Sequence, residues 1–244
     1  MSILQTHRLY KHFDGVKAVD HLSLSFEKGK ITAVIGPNGS GKSTLINVLT
    51  GFIPMDAGEV VVAGSTRLSK IRPFEVKEYG MTRTFQDVRL FEQMPVLDNV
   101  LVVLTERGVF SALFEKHGKL HLAKAEEVLK RVGIWEKRHQ LAKNLSYGQR
   151  KLLEIARVLA MNPDIIFFDE PFAGLFPEML KVVVGVMQEL KQQGKTQILV
   201  EHNMELIREL SDHVLVLDSG ELLAEGNPAE VLSRREVIEA YLGE

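Results

Sequence analysis

Between Gly36 and Thr44 the chain reads GPNGSGKST, which satisfies G-x-x-x-x-G-K-[S/T]. The run is entered from KITAVIG (30–36), a short apolar stretch rich in β-branched residues. It leaves into KSTLINVLTG (42–51), whose spacing predicts a helix closed by Gly51. No other feature restricts the fold as strongly. Strand, glycine-rich loop and helix in this order aim successive backbone N–H groups, and the positive end of the helix, at one point where a phosphate is stabilised. Lys42 adds a point charge for the outer phosphates, and the Ser43 hydroxyl is placed for Mg²⁺. Asn38, Gly39, Ser40, Gly41 and Thr44 complete the cradle.

The rest of the chain supplies a matching frame. LSLSF (22–26), EVVVAG (59–64) and MTRTFQ (81–86) read as short strands. The middle changes character: VLDNVLVVL and LHLAKAEEVLKRVG carry helical spacing, with Glu126/Lys130 and Glu127/Arg131 as i,i+4 pairs. Ser146 reads as the N-cap of a helix through Met161 that buries Leu152, Leu153, Ile155, Ala156, Leu159 and Ala160. Then α/β alternation returns: strand DIIFFDE, helix EMLKVVVGVMQELKQQG, strand QILVEH, helix MELIREL, strand HVLVLDSG. These strands are continuously apolar, as in a parallel sheet covered on both faces. The expectation is an α/β core interrupted by a helical insertion near residues 87–160.

With 244 residues the chain can form one large domain or two closely joined subdomains. A net charge of −2 and a pI near 6.5 leave no global basic field to recruit nucleic acid. The absence of cysteine excludes disulfides and thiolate metal sites. MSILQTHRLYKHF lacks the apolar core of a signal peptide, and no apolar run approaches the ~18–20 residues needed to span a bilayer. Any membrane role is expected through a partner.

Asp169 and Glu170 stand at the end of an apolar strand, where ligands of open α/β sheets gather. Beside a phosphate loop, Asp169 suits the Mg²⁺ or its water shell, and Glu170 suits polarising an attacking water. Gln86 and His202 each end a strand and carry little weight alone. His117 and His121 have i,i+4 spacing, but Gly118 intervenes and no carboxylates accompany them, so both are expected at the surface. The basic run from Lys116 to Lys143 is interleaved with Glu126, Glu127 and Glu136 and reads as a solvated helical face.

The loop GPNGSGKST, then Gln86, LSYGQ (145–149), FDEP (168–171) and His202 occur in an order that resembles the ATP-binding cassette (ABC) ATPases over nearly the whole chain. The resemblance implies a phosphate-loop NTPase core with an N-terminal antiparallel β portion and an inserted α-helical subdomain. Residues 1–86 and 161–230 would form the nucleotide-binding core, 87–160 the signature subdomain, and 231–244 a C-terminal helix. It implies ATP and Mg²⁺ as ligands. Phe13 would stack on adenine, Gln86 would join the Mg²⁺, and His202 would contact the γ-phosphate. Ser146, Gly148 and Gln149 would close on ATP held by a second copy. The implied partners are a second ATPase subunit, identical or not, transmembrane permease subunits and, for an importer, a substrate-binding protein; nucleic acid is not among them. The implied location is cytoplasmic, on the inner face of the cell membrane.

Within the family, YGMTRTFQDVRLFEQMPVLDNVLV, the LSYGQ variant and the tail AEGNPAEVLSRREVIEAYLGE resemble ATPases of branched-chain amino-acid uptake. The lipopolysaccharide-export ATPase has a similar tail and a similar DEPFAG and stays open as an alternative, as does a hydrolysis-impaired, nucleotide-gated dimerisation module. Two positions depart from the family pattern. Tyr147 replaces the first glycine of LSGGQ, and Phe176 stands where Asp or Asn is usual in a loop that crosses the dimer interface.

Overall fold

The computed structural model describes residues 1–105 and 116–242. These divide into two compact units: Met1–Arg83 with Asp164–Glu170 and the chain from Gln188, and Thr84–Pro163 with Pro171–Met187.

In the first unit, β1 (Ser2–Phe13), β2 (Val16–Leu22) and β3 (Ser25–Glu27) precede β4 (Ile31–Ile35) and α1 (Lys42–Leu49); β5 (Ala57–Val62), β6 (Thr66–Leu68) and β7 (Met81–Arg83) follow. β1 is the spine of an antiparallel sheet, paired with β2, β3 and β5, with β6 outside β5. LSLSF does not form one strand. The Thr6 hydroxyl donates to Leu22 O and accepts from Leu24 N–H, both at 2.9 Å, taking the place of ladder bonds and separating β2 from β3. MTRTFQ is also shorter than expected. Its strand ends at Arg83, and Phe85 N–H turns to the Glu154 carboxylate, 3.1 Å away.

The later elements of this unit are β8 (Ile165–Asp169), the end of α5 (Pro177–Gln192), β9 (Thr196–Val200), α6 (Met204–Leu210), β10 (His213–Asp218), β11 (Glu221–Gly226), α7 (Pro228–Val231) and α8 (Arg235–Leu242). A second sheet runs β11-β10-β4-β9-β8-β7, parallel throughout except for β11. Every residue of β4, β8 and β9 is buried, the physical reason for their unbroken apolar runs. Side chains alternate between faces. Val34 joins a core with Leu45, Leu49, Phe26 and Val60, whereas Ala33 and Ile35 join one with Ile207, Val216, Val231 and Val237.

In the second unit, α2 (Val96–Leu104), α3 (Lys116–Arg131) and α4 (Tyr147–Met161) contact one another. All six apolar positions expected to face inward on α4 are buried. Lys130 and Glu126 pair at 2.6 Å, and the Glu127 carboxylate also meets Lys124 at 2.9 Å. His121 is partly exposed, and the His117 side chain lies outside the described residues.

Candidate functional site

The phosphate loop occupies the carboxyl end of β4. Gly36 and Gly41 have φ of 148° and 102°, and a Cβ on either would collide with a backbone carbonyl oxygen, of Leu217 and of Ala18 respectively. The glycines are therefore required by shape as well as by φ. Lys42 is 6% exposed; its ammonium donates to Gly36 O at 2.7 Å, to Pro37 O at 2.8 Å and to the Ser40 hydroxyl at 3.4 Å. The charge is thus held inside the ring of the loop. Ser43 is exposed in the first turn of α1, and the N-cap is Gly41, which offers no side-chain cap.

β4, β9 and β8 are parallel neighbours, so the loop, Asp169 and the segment after Val200 emerge side by side. Asp169 is the last residue of β8, with its Oδ2 2.8 Å from Arg83 Nη2. Glu170 follows at φ 47°, a left-handed conformation that a non-glycine residue adopts at a cost of ~1–3 kcal/mol. Its N–H donates to Val200 O at 2.9 Å. One carboxylate oxygen lies 3.1 Å from His202 Nε2. His202 is placed in turn by the buried Glu201, whose Oε2 accepts from the N–H groups of His202 and Asn203 at 2.9 and 3.3 Å. Asn203 then caps α6.

Phe13 ends β1 and is 44% exposed, with the Lys11 ammonium 5.0 Å from its ring centroid. The β1–β2 hairpin that carries it reaches the loop through Ala18, beside Gly41. A flat, accessible ring there is suited to stacking on a base.

The donor set fits a hard cation brought in with phosphates. Among the described residues no group of three or more His, Cys, Asp or Glu could hold a metal unaided. The buried Asp169 carboxylate and the exposed Ser43 hydroxyl are oxygen donors of the kind Mg²⁺ takes, one or two from protein and the rest from phosphate and water.

The other expected residues lie in the second unit. Gln86 is exposed in the segment after β7. Ser146 and Gln149 form a capping box: Ser146 Oγ accepts from Gln149 N–H at 3.3 Å, and Ser146 N–H donates to Gln149 Oε1 at 3.1 Å. Gly148 is buried, and a Cβ there would lie 2.5 Å from Met179 Sδ. The Tyr147 ring covers Gly174, where an added Cβ would come within 2.9 Å of it. The signature tyrosine and the DEPFAGLFP loop are therefore fitted to each other, and Phe176 is 74% exposed beyond them.

Three residues near these sites went unremarked in the sequence. Arg83 grips Asp169, and the Tyr241 hydroxyl of α8 accepts from Gly36 N–H at 2.7 Å. In the second unit, Glu154 accepts from the Phe85 and Arg89 N–H groups of the segment holding Gln86. Burial is the main force on this carboxyl and pushes it up to about 7, against those two hydrogen bonds and the charges of Arg157 and Lys151. An arginine between two threonines in a strand, and a glutamate among the apolar positions of α4, were the available signals.

The profile described as ABC transporter matches residues 19–173, and one described as branched-chain amino acid ATP-binding cassette transporter matches 221–244. A probable branched-chain amino acid transport ATP-binding protein, LivG, of Methanocaldococcus jannaschii is 39% identical over all of this chain and 98% of its own length. Two solved structures are close in shape. A nucleotide-free ATP-binding cassette from an ABC transporter has a TM-score of 0.87 at 37% identity, and an ADP conformation of such a cassette has 0.86 at 36%, each covering both chains fully.

Proposed function

The chain belongs to the ABC transporter family of ATP-binding cassettes, and from that we propose that it is the ATP-hydrolysing motor of a branched-chain amino-acid importer, acting as a dimer with two nucleotides between facing subunits. The observation that carries this reading is the convergence of Lys42, Asp169, Glu170 and His202 at the carboxyl ends of three adjacent parallel strands, with His202 Nε2 3.1 Å from Glu170.

In this reading the N–H groups from Asn38 through Gly39, Ser40, Gly41 and Thr44, together with Lys42, hold the phosphates, and Phe13 stacks on adenine. Glu170 accepts a proton from the water that attacks the γ-phosphate, and His202 steadies that carboxylate and touches the same phosphate. Mg²⁺, when bound, offsets charge on the outer phosphates; Ser43, Asp169 and Gln86 are the residues assigned to it. Ser146, Gly148 and Gln149 address the nucleotide of the opposite subunit with the N-terminus of α4. Residues 1–86 and 161–230 serve as the nucleotide core and 87–160 as the arm that docks on permease subunits, with a substrate-binding protein delivering cargo. No helix among the described residues is long and apolar enough to cross a membrane, in keeping with a subunit held peripherally at the cytoplasmic face by those partners.

Phosphate release by the purified protein tests the motor. Glu170→Gln should slow it by ~100-fold or more and accumulate as an ATP-bound dimer on sizing. A wild type as slow as the variant would leave only the hydrolysis-impaired module, and a variant that stays monomeric with ATP would count against the sandwich. Uptake of leucine or valine by the reconstituted complex tests the cargo class.

A further inference from the structure

One buried guanidinium joins three parts of the nucleotide core. Arg83 Nη2 donates to Asp169 Oδ2 at 2.8 Å, while Nη1 donates to Asn47 Oδ1 at 2.6 Å and Thr50 Oγ1 at 3.1 Å. The side chains of Arg83 and Asp169 are 9% and 6% exposed. Asn47 and Thr50 belong to α1 and its C-cap, the helix that begins at the phosphate loop, and Arg83 ends β7 three residues before Gln86. A buried ion pair contributes little net stability, because desolvation offsets most of the attraction. Its planar fork does fix direction, and a lysine ammonium could not reach both sides in the same geometry.

The geometry points to Arg83 as a positioning residue of the ATPase: it holds the Asp169 carboxylate in one orientation against α1, and so sets how well that carboxylate meets the metal that accompanies ATP. The inference rests on the ATPase reading above. Groups that orient a ligating carboxylate typically control metal affinity by 10–100-fold. A lysine at 83 keeps the charge and loses the fork, which makes it the informative change.

The experiment compares wild type, Arg83→Lys and Asn47→Ala. ATP affinity is measured by calorimetry in EDTA and with Mg²⁺, and the Mg²⁺ concentration for half-maximal phosphate release is titrated. Arg83→Lys should need about tenfold more Mg²⁺ and lose a similar part of the Mg²⁺-dependent gain in affinity, with affinity in EDTA within about twofold of wild type. Asn47→Ala, which leaves the ion pair in place, should shift the same way by less. An unchanged or lowered Mg²⁺ requirement in Arg83→Lys overturns the inference, as does an equal loss of affinity with and without the metal. If Arg83→Lys does not fold, a wild-type Mg²⁺ requirement in Asn47→Ala overturns it. A wild type without Mg²⁺-dependent turnover would instead fail the ATPase reading itself.

Discussion

The phosphate loop and the signature turn are both glycine-marked helix starts, yet they handle their backbone donors in opposite ways. α1 begins at Gly41 with no side-chain cap, the kind of helix start that suits an anion. α4 begins at Ser146 with a complete capping box, so the N–H groups of Ser146 and Gln149 are satisfied from within. Their glycines differ in the same sense. Gly41 is hemmed in by a backbone carbonyl at positive φ, whereas Gly148 meets the flexible end of Met179. The loop is a receptor whose shape exists in advance, fixed by main chain. The signature turn is the more adjustable of the two, because its glycine faces a side chain that can give, and in the proposed dimer that would let it close on the opposite nucleotide.

The sharpest way to break this contrast is to make the same change in both places. Gly41→Ala forces a Cβ into Ala18 O at φ 102°, and should cost ~3 kcal/mol or more, lowering Tm by roughly 6–12 °C and abolishing ATP binding. Gly148→Ala has no φ penalty, and Met179 can swing aside, so ~1 kcal/mol and roughly 2–4 °C are expected. Thermal unfolding and ATP titration of the two variants check this. Equal losses at the two positions would show that the signature turn is as rigid as the loop.

Two of the buried carboxylates extend the comparison. Asp169 has a fixed cation in Arg83, whereas Glu154 is held chiefly by backbone N–H groups and is pushed up to about 7 by burial. Because the folded value lies above the ordinary 4.5, Glu154 binds its proton more tightly when folded. That stability is fully present below about 4.5 and is lost as pH rises through about 7. The difference in unfolding free energy between wild type and Glu154→Gln should therefore move in the variant's favour with rising pH, by of order 3 kcal/mol over the full range. Thermal melts from pH 5 to pH 8 check it, and a difference that stays flat would show that Glu154 is solvated enough to titrate normally.

How far these features could be read beforehand depended on the range of the forces that make them. The phosphate loop, the buried strands and the start of α4 were legible because each is set by neighbours within a few residues: spacing, an unbroken apolar run, a serine before a periodic face. β1 was not, because irregularities in its pairing at Leu9–Lys11 and Lys11–His12 break the alternation that marks a strand. Arg83 was illegible for a different reason. Its partners lie 36 residues before it and 86 after it, and only the parallel register of β7 on β8, Arg83 opposite Phe167, brings them together. Glu154 was illegible on the same ground, because the Phe85 N–H that it accepts from lies 69 residues before it.

Phe176 gives the smallest expected effect and the finest test of the idea that the signature side is made for a partner. It precedes Pro177, the first residue of α5, and its carbonyl accepts from Leu180 N–H, so it occupies the N-cap. Phenylalanine has no oxygen with which to cap, and its ring is 74% exposed, so within one chain it is a poor choice on two counts. Aspartate, usual at this position in the family, would cap α5 and favour its positive end, stabilising the isolated subunit by ~1 kcal/mol or roughly 2–4 °C in Tm. It would also restore hydrogen-bonding capacity to a loop that crosses the proposed dimer interface, where an unsatisfied partner costs ~1–3 kcal/mol. We therefore expect Phe176→Asp to raise either the phosphate-release rate or the lifetime of the ATP-bound dimer, along with Tm. A rise in Tm alone, with turnover and dimer lifetime unchanged, would place Phe176 outside the coupling between subunits and leave Tyr147 on Gly174 as the contact that shapes this face.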